Sequence, residues 1–499
     1  MRDGEPAGTP GAGAAAAGVS AGQELADVFR LGRRLLRRAV VAARAQDQLQ
    51  RLLSDHLGPG WASLPVVTGS WPAFDHVNVQ IGLDAWLAAP GREHVLAGIT
   101  GFRHVSFGLG DLAQSGGLDP SIGQLGVGGV AFATVPAGPA GQTRACVRCG
   151  LYLIDDAGAR LAVLLRGPGD HGGGEVSLEV AGGGQERAMH VLDEVQRLAI
   201  EHNVYRGQVV AFGGEMFGPG RAAPLSFLHR PRVDRSEVVL PDDLLDGIEQ
   251  QVLGVARHAG QLLASGQHLK RGVLLHGAPG TGKTHTVRYL LGEMSGVTAV
   301  VISGGALQLI KQACSVARTL QPAVVVVEDV DLIAGQRDPH AGQHPLLFQL
   351  LNEMDGLGED VDVTFLLTTN RADMLEAALA ARPGRVDHAA ELPIPDASAR
   401  RKLIRLYQGS LVLDLDDPEL VISRTEGVTA SFLKELLRRA ALHAAQDQES
   451  GNAPADSPLR VTDAHMGAAL DRLLDTRSQI TRALLGVHQP QGAAETPSA

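Results

Sequence analysis

Hydrophobic positions fall along this chain in distinct rhythms. From Glu24 to Leu57, Leu25, Val28, Leu35, Leu36, Ala39, Leu49, Leu52 and Leu53 recur at helical spacing and the pattern stops at Gly58-Pro59. Ser20 and Gln23 supply a capping box for that helix. Between residues 60 and 235 the rhythm shortens to strands punctuated by Gly and Pro, with one helical stretch from Gln185 to His202. Leu151–Ile154 and Leu161–Leu165, separated by Asp155-Asp156-Ala157-Gly158, predict a hairpin. A helix from about Leu244 to Ala264 then leads into continuous apolar runs, Val273–Leu275 and Val324–Val327, which suit strands buried on both faces. From Asp396 to Leu485 leucine and alanine return at helical spacing, broken by the polar segment Gln446 to Ser457. The expected fold class is α/β, a parallel sheet with a C-terminal helical region, preceded by an α+β accessory region.

These rhythms divide the chain into a disordered Gly/Ala/Pro-rich lead-in over 1–19, an accessory region over 20–235, a core over 236–395, the helical region over 396–487 and a loose tail over 488–499. The boundary near 236 rests on Pro219-Gly220, Pro224 and Pro231, which punctuate a stretch of little periodicity. Trp61, Trp71 and Trp86 all fall in the accessory region and read as anchors of a small core, with a recognition surface as the alternative. No catalytic constellation appears there.

Chemistry concentrates in Gly272–Thr284, which reads GVLLHGAPGTGKT. Gly277, Ala278, Pro279, Gly280, Thr281 and Gly282 can continue neither strand nor helix, and Lys283-Thr284 open a helical pattern, the strand–loop–helix context of a Walker A phosphate loop. Closely spaced glycines turn backbone N–H groups toward an anion, and the new helix points its unpaired donors at the same place. Lys283 is expected to reach the β- and γ-phosphates of ATP and Thr284 to ligate Mg²⁺. The second run, AVVVVEDVD over residues 323–331, delivers Glu328 and Asp329 to a strand's carboxyl edge, where ligands of open α/β sheets sit. Glu328 is expected beside the metal and Asp329 beside the attacking water.

Composition narrows the partners. A formal net charge of −11 over 499 residues disfavours nucleic acid. The arginines on the first helix, Arg30, Arg33, Arg34, Arg37, Arg38, Arg44 and Arg51, read as a solvated face, with an acidic partner subunit, nucleic acid or a membrane surface as alternatives. No apolar run approaches the length of a membrane span, and the first residues lack the apolar centre of a signal peptide, so a cytoplasmic location is expected. Cys146, Cys149 and Cys314 make no disulfide framework; Cys146 and Cys149 have half-zinc-site spacing without a second pair and read as ordinary strand residues.

Over residues 236–485 the chain resembles the AAA clade of the AAA+ ATPases. Besides the phosphate loop and the acidic strand end, the resemblance rests on Leu350-Leu351-Asn352-Glu353-Met354-Asp355-Gly356, Leu367-Thr368-Thr369-Asn370-Arg371 and Ala381-Arg382-Pro383-Gly384-Arg385-Val386-Asp387, in that order. It implies that Asn370 is the sensor orienting the attacking water. It also implies that Arg385 reaches the γ-phosphate of an adjacent subunit, and hence self-association, in this family usually as a hexameric ring. The function it implies is Mg-ATP hydrolysis coupled to remodelling of a partner protein held by residues 20–235. The alternative is a nucleotide-switched oligomeric scaffold with slow hydrolysis and no polypeptide threading. Three departures bear on that choice. The acidic pair runs Glu328-Asp329 where the family has Asp-Glu. Ser303–Ile310 holds no aromatic residue where threading ATPases carry a gripping pore loop, leaving Leu307, Leu309 and Ile310 as apolar substitutes. His388 stands in place of a second arginine.

Overall fold

The computed structural model describes residues 48–101, 107–113, 125–169, 174–213, 225–331, 345–356, 358, 361–372, 386–450 and 458–474. The lead-in, most of the first helix with Arg30 to Arg44, the tail, and Arg382 and Arg385 lie outside the described residues. The chain divides into two compact units, the first formed chiefly by residues 48–203 and the second chiefly by residues 204–474.

The first unit is built on a seven-stranded antiparallel sheet of β1 (Val66–Pro72), β2 (Arg92–Thr100), β3 (Gly126–Gly128), β4 (Ala131–Pro136), β5 (Thr143–Asp156), β6 (Ala159–Arg166) and β7 (Glu175–Gly182). The expected hairpin is β5–β6, turned by Ala157 at φ 53° and Gly158 at φ 89°, the left-handed pair that matches strand twist. Asp155 Oδ1 accepts from the Gly158 N–H at 2.7 Å and fixes that turn. Helices α1 (His76–Leu87) and α2 (Gln185–Glu201) cover one face through Leu83, Trp86, Val191 and Val195. The helical residues 48–57 and the short helix Leu109–Ala113 cover the other through Leu49, Leu53, Leu109 and Leu112, while Arg51 is exposed.

Trp61 and Trp86 are core residues; Trp71 is half-buried and its indole N–H donates to Gln196 Oε1 at 2.5 Å. Cys146 and Cys149 are buried in β5, and burial pushes their thiols up to about 11 and about 12 against the pull of Arg144 and Arg166. Such thiols stay protonated and make poor ligands or nucleophiles. No group of three or more metal-binding side chains occurs among the described residues.

The second unit carries a seven-stranded sheet of β8 (Val209–Phe212), β9 (Leu225–Leu228), β10 (Arg271–His276), β11 (Thr298–Ile302), β12 (Ala323–Val327), β13 (Val363–Thr369) and β14 (His388–Glu391). Their spatial order is β14-β10-β13-β12-β11-β8-β9, parallel throughout except that β9 returns antiparallel to β8. The run of valines in β12 is wholly buried because this central strand is covered on both faces. One face packs α3 (Asp242–Glu249) and α4 (Lys283–Glu293) through Leu245, Ile248, Val287 and Leu290. α5 (Ile310–Thr319) packs on β11 and β12 and meets α6 (Pro345–Asp355).

A C-terminal helical region follows, made of α7 (Ala397–Gln408), β15 (Val412–Asp414), α8 (Pro418–Arg424), α9 (Ala430–Ser450), β16 (Arg460–Thr462) and α10 (Asp463–Leu474). Its core gathers Leu403, Phe432, Leu433, Leu436, Leu437, Met466 and Leu470, and the two short strands pair in parallel. The architecture is therefore a mixed α/β fold with a parallel core sheet and a C-terminal helical region. Among the described residues no helix is long and apolar enough to cross a membrane.

Two expectations need correction. The accessory region does not run to residue 235, because β8 and β9 belong to the second sheet, β8 pairing in parallel with β11. The Gly and Pro residues after 212 lie between and beyond these strands, and a short apolar run does not reveal which sheet it joins. The helix expected over 244–264 is interrupted by a π-helical turn at Gln250–Gly254 and a break at His258 before Ala259–Ala264.

Candidate nucleotide site

The phosphate loop joins β10 to α4 at the carboxyl edge of the sheet. Gly282, the residue before α4, sits at φ 107°, a conformation that would strain any side chain. A methyl group built on Gly280 would come within 2.8 Å of Thr429 Oγ1 and 3.0 Å of Ser431 Oγ, and the Ser431 N–H donates to Gly280 O at 3.2 Å. The segment Val428-Thr429-Ala430-Ser431, which leads into α9, thus abuts the phosphate loop.

Lys283 is buried, and its Nζ donates to Gly277 O at 2.8 Å and to Ala278 O at 2.9 Å. Burial holds its pKa below the ordinary lysine value, opposed by Asp329 and Asp331. The ammonium therefore faces the concave side of its own loop, where an incoming phosphate would replace backbone carbonyls as its partner. Thr281 Oγ1 donates to Ala278 O at 3.0 Å and helps close the turn. Glycines where a Cβ does not fit, a buried ammonium and the start of α4 together fit a polyphosphate.

Glu328 follows β12, and its backbone N–H still donates to Ile302 O at 3.1 Å. Burial pushes its carboxyl up, and Asp329 adds to that, while a hydrogen bond from Thr284 and the charge of Arg288 pull it down. Thr284 and Glu328 are the pair expected to hold Mg²⁺, and their mutual hydrogen bond brings a hydroxyl and a carboxylate to one place, a donor set this cation accepts.

Asp329 departs from strand geometry with φ 53°. Its N–H donates to Thr368 Oγ1 at 3.1 Å, and its Oδ1 accepts from Asn370 Nδ2 at 3.3 Å. Asp and Asn tolerate this left-handed conformation better than longer side chains. Asp331 Oδ1 accepts from Thr369 Oγ1 at 2.9 Å and from the Asn370 N–H at 3.2 Å. The ends of β12 and β13 are thereby laced together.

The structure thus brings Lys283, Thr284, Glu328, Asp329 and Asn370 to one edge. Arg385 lies outside the described residues. Its neighbour Asp387 is tied to the start of β10, with Gly272 N donating to Asp387 Oδ2 at 2.9 Å and Asp387 N donating to Gly272 O at 2.8 Å. His388 opens β14 opposite Val273, and its Nε2 is buried without a partner among the described residues. Of the apolar substitutes for a pore grip, Leu307 and Ile310 are buried and Leu309 is half-buried.

Sequence reasoning did not single out Asp331, Thr368 or Arg230. The first two sit inside quoted motifs, two residues from the assigned side chains, and the alternation of a strand end could have flagged them. Arg230 follows β9 and donates to Leu291 O, Met294 O, Gly207 O and Val297 O at 2.6 to 3.0 Å, capping the C-terminal end of α4. Nothing in its local sequence announces that role.

Residues 273–394 match the sequence model of the ATPase family associated with various cellular activities (AAA). An ATP-dependent zinc metalloprotease FtsH 3 of Sphaerobacter thermophilus is 30% identical over 282 residues, 54% of this chain and 55% of that protein. The ATPase family gene 2 protein homolog A of Homo sapiens is 30% identical over 237 residues, 44% of this chain and 26% of that protein. An ATP-dependent zinc metalloprotease FtsH of Mycobacterium tuberculosis is 30% identical over 256 residues, 48% of this chain and 33% of that protein. The chain spans about half the length, or less, of these curated relatives.

Proposed function

We propose that this chain, which carries an AAA-family ATPase domain over residues 273–394, binds ATP with Mg²⁺, hydrolyses it, and couples that cycle to remodelling of a partner protein. The observation that carries the reading is the convergence of the buried Lys283, the Thr284–Glu328 pair and the Asp329–Asn370 hydrogen bond at one carboxyl edge. The phosphate loop from Gly277 to Thr284 holds the phosphates, Lys283 by charge and the backbone by its N–H groups. Thr284 and Glu328 would hold the metal, which when bound neutralises charge between the β- and γ-phosphoryl oxygens.

Asp329 takes the role of base toward the attacking water, and Asn370 orients it. The left-handed turn at Asp329 answers the inverted Glu-Asp order: the backbone turns away from the strand, and the shorter carboxylate still meets the sensor amide. Arg385 acts as a finger on a second copy, as the likeness to AAA-clade ATPases implies, and the protein is then an oligomer with shared sites. Residues before β8 are the place for a partner protein.

The scaffold alternative, an oligomer that hydrolyses slowly and threads nothing, is supported by the burial of Leu307 and Ile310. Side chains packed inside the domain have no free surface with which to grip a polypeptide. Steady-state ATPase with and without partners retained by the Asp329→Asn protein in ATP tests the proposal. Partner-stimulated turnover accompanied by partner disruption supports remodelling; turnover that only resets assembly supports the scaffold; no Mg-dependent turnover in any condition overturns both.

A further inference from the structure

A cleft of about 480 Å³ opens on the metal side of the candidate site, and none of the residues from Gly277 to Lys283 lines it. Its floor is apolar, formed by Val209, Val287, Leu291 and Val301. Thr284 and Glu328 also line it. So do Arg232, just beyond β9, and Arg288, one helical turn after Thr284 on the same face of α4. Both arginines are exposed, neither in a salt bridge among the described residues, and the charge of Arg288 acts on Glu328. The adjacent Arg230 is engaged with four backbone carbonyls, so the wall they stand on is fixed to α4.

An apolar floor with two arginines in the lining has the size and chemistry of a small-molecule site. We propose that this cleft binds a compact amphipathic anion, its apolar body lying over the valines and its carboxylate, sulfonate or phosphate facing Arg232 and Arg288. The orientation follows from charge: the anionic end is repelled by Glu328 and drawn to the two guanidiniums, which can make charge-assisted hydrogen bonds and of which Arg288 already acts on Glu328. The site itself does not depend on the ATPase reading. Its consequence does: an occupant shares Thr284 and Glu328 with the metal pair, so its binding is linked to that of Mg-ATP in both directions.

The probe is anilinonaphthalene sulfonate, an apolar ring system bearing one anion, titrated by fluorescence into the full chain, with octanoate as competitor. The expected result is saturable binding at one site per chain, displaced by octanoate and weakened about tenfold or more in Arg232→Glu and in Arg288→Gln, since each removes a hydrogen bond to a charged group. Val301→Phe, which fills the floor, abolishes it while thermal unfolding shows the protein still folded. Lys283→Ala retains it, which separates this site from the nucleotide site even where the nucleotide reading fails. Affinity unchanged in both arginine variants, or lost in a folded Lys283→Ala protein, overturns the proposal.

Discussion

Asn370 Nδ2 donates to Asp329 Oδ1 across 3.3 Å, joining the ends of the neighbouring strands β12 and β13, and Asp329 makes that contact from a left-handed backbone at φ 53°. Conformation and side-chain length are matched: a residue that leaves the strand direction needs a short carboxylate to stay within reach of its partner.

Restoring a glutamate at position 329 therefore should not restore speed. Asp329→Glu carries a longer side chain on a backbone less favourable to it, and turnover is expected to fall by about 10²-fold, the scale of a displaced general base. Asp329→Asn should keep ATP affinity and lose hydrolysis, because an amide cannot accept the proton. Single-turnover hydrolysis and equilibrium ATP binding on both variants decide this. A rate for Asp329→Glu at or above the parent's would show that the turn does not compensate for length.

The neighbouring carboxylate should behave differently. Glu328 is hydrogen-bonded by Thr284, so Glu328→Gln is expected to weaken Mg²⁺-dependent nucleotide binding more than Asp329→Asn does, and Lys283→Ala or Thr284→Ala should nearly abolish turnover. A magnesium titration of nucleotide affinity separates the carboxylates. If Asp329→Asn shows the larger metal defect, the roles follow residue type rather than strand position.

The placement of the glycine-rich loop and of both acidic residues at strand ends was legible in the sequence because each sits where a buried apolar run meets residues that cannot prolong it. Glu328 and Asp329 end a valine run, and Gly277–Gly282 follow the apolar run Val273–Leu275. What sequence could not supply was tertiary. Val209–Phe212 is as apolar as any strand of the first unit, and only its pairing with β11 assigns it to the second sheet. The same holds for Asp329: its residue type is visible in the chain, but its φ is fixed by Thr368 and Asn370 some forty positions away.

Arg230 lets that tertiary effect be measured. It caps α4 with several donors in a planar fork, so Arg230→Ala should destabilise the second unit by about 2–4 kcal/mol, and Arg230→Lys should recover only part. Differential scanning calorimetry of the full chain reads this out. Complete rescue by lysine would mean that the charge, not the fork, matters.

In the first unit, burial raises Asp75 to about 6 from 3.8, partly opposed by the hydrogen bond from Asn78. The folded state thus keeps a proton on this carboxyl that the unfolded state releases at lower pH. Stability from this group falls as pH rises from about 4 to about 6 and is level above that. Asp75→Asn removes the titration, so the variant should gain on the parent across that window, by at most about 3 kcal/mol. Denaturant unfolding of both proteins at a series of pH values tests it. A difference that does not change with pH would place Asp75 in solvent.

The sharpest test of an oligomeric mechanism mixes two inactive proteins, Lys283→Ala and Arg385→Ala. Arg385→Ala should retain ATP affinity and lose turnover, since its charge is needed where negative charge develops on the transferring phosphoryl group. In a mixed oligomer, an intact loop from the Arg385→Ala protein can face an intact finger from the Lys283→Ala protein, and ATPase activity should return in proportion to such pairings. Subunit exchange followed by energy transfer between labelled chains confirms that mixed particles form. Mixed particles without activity would mean that Arg385 does not complete a neighbour's site, and the case for catalysis shared between subunits would fall with it.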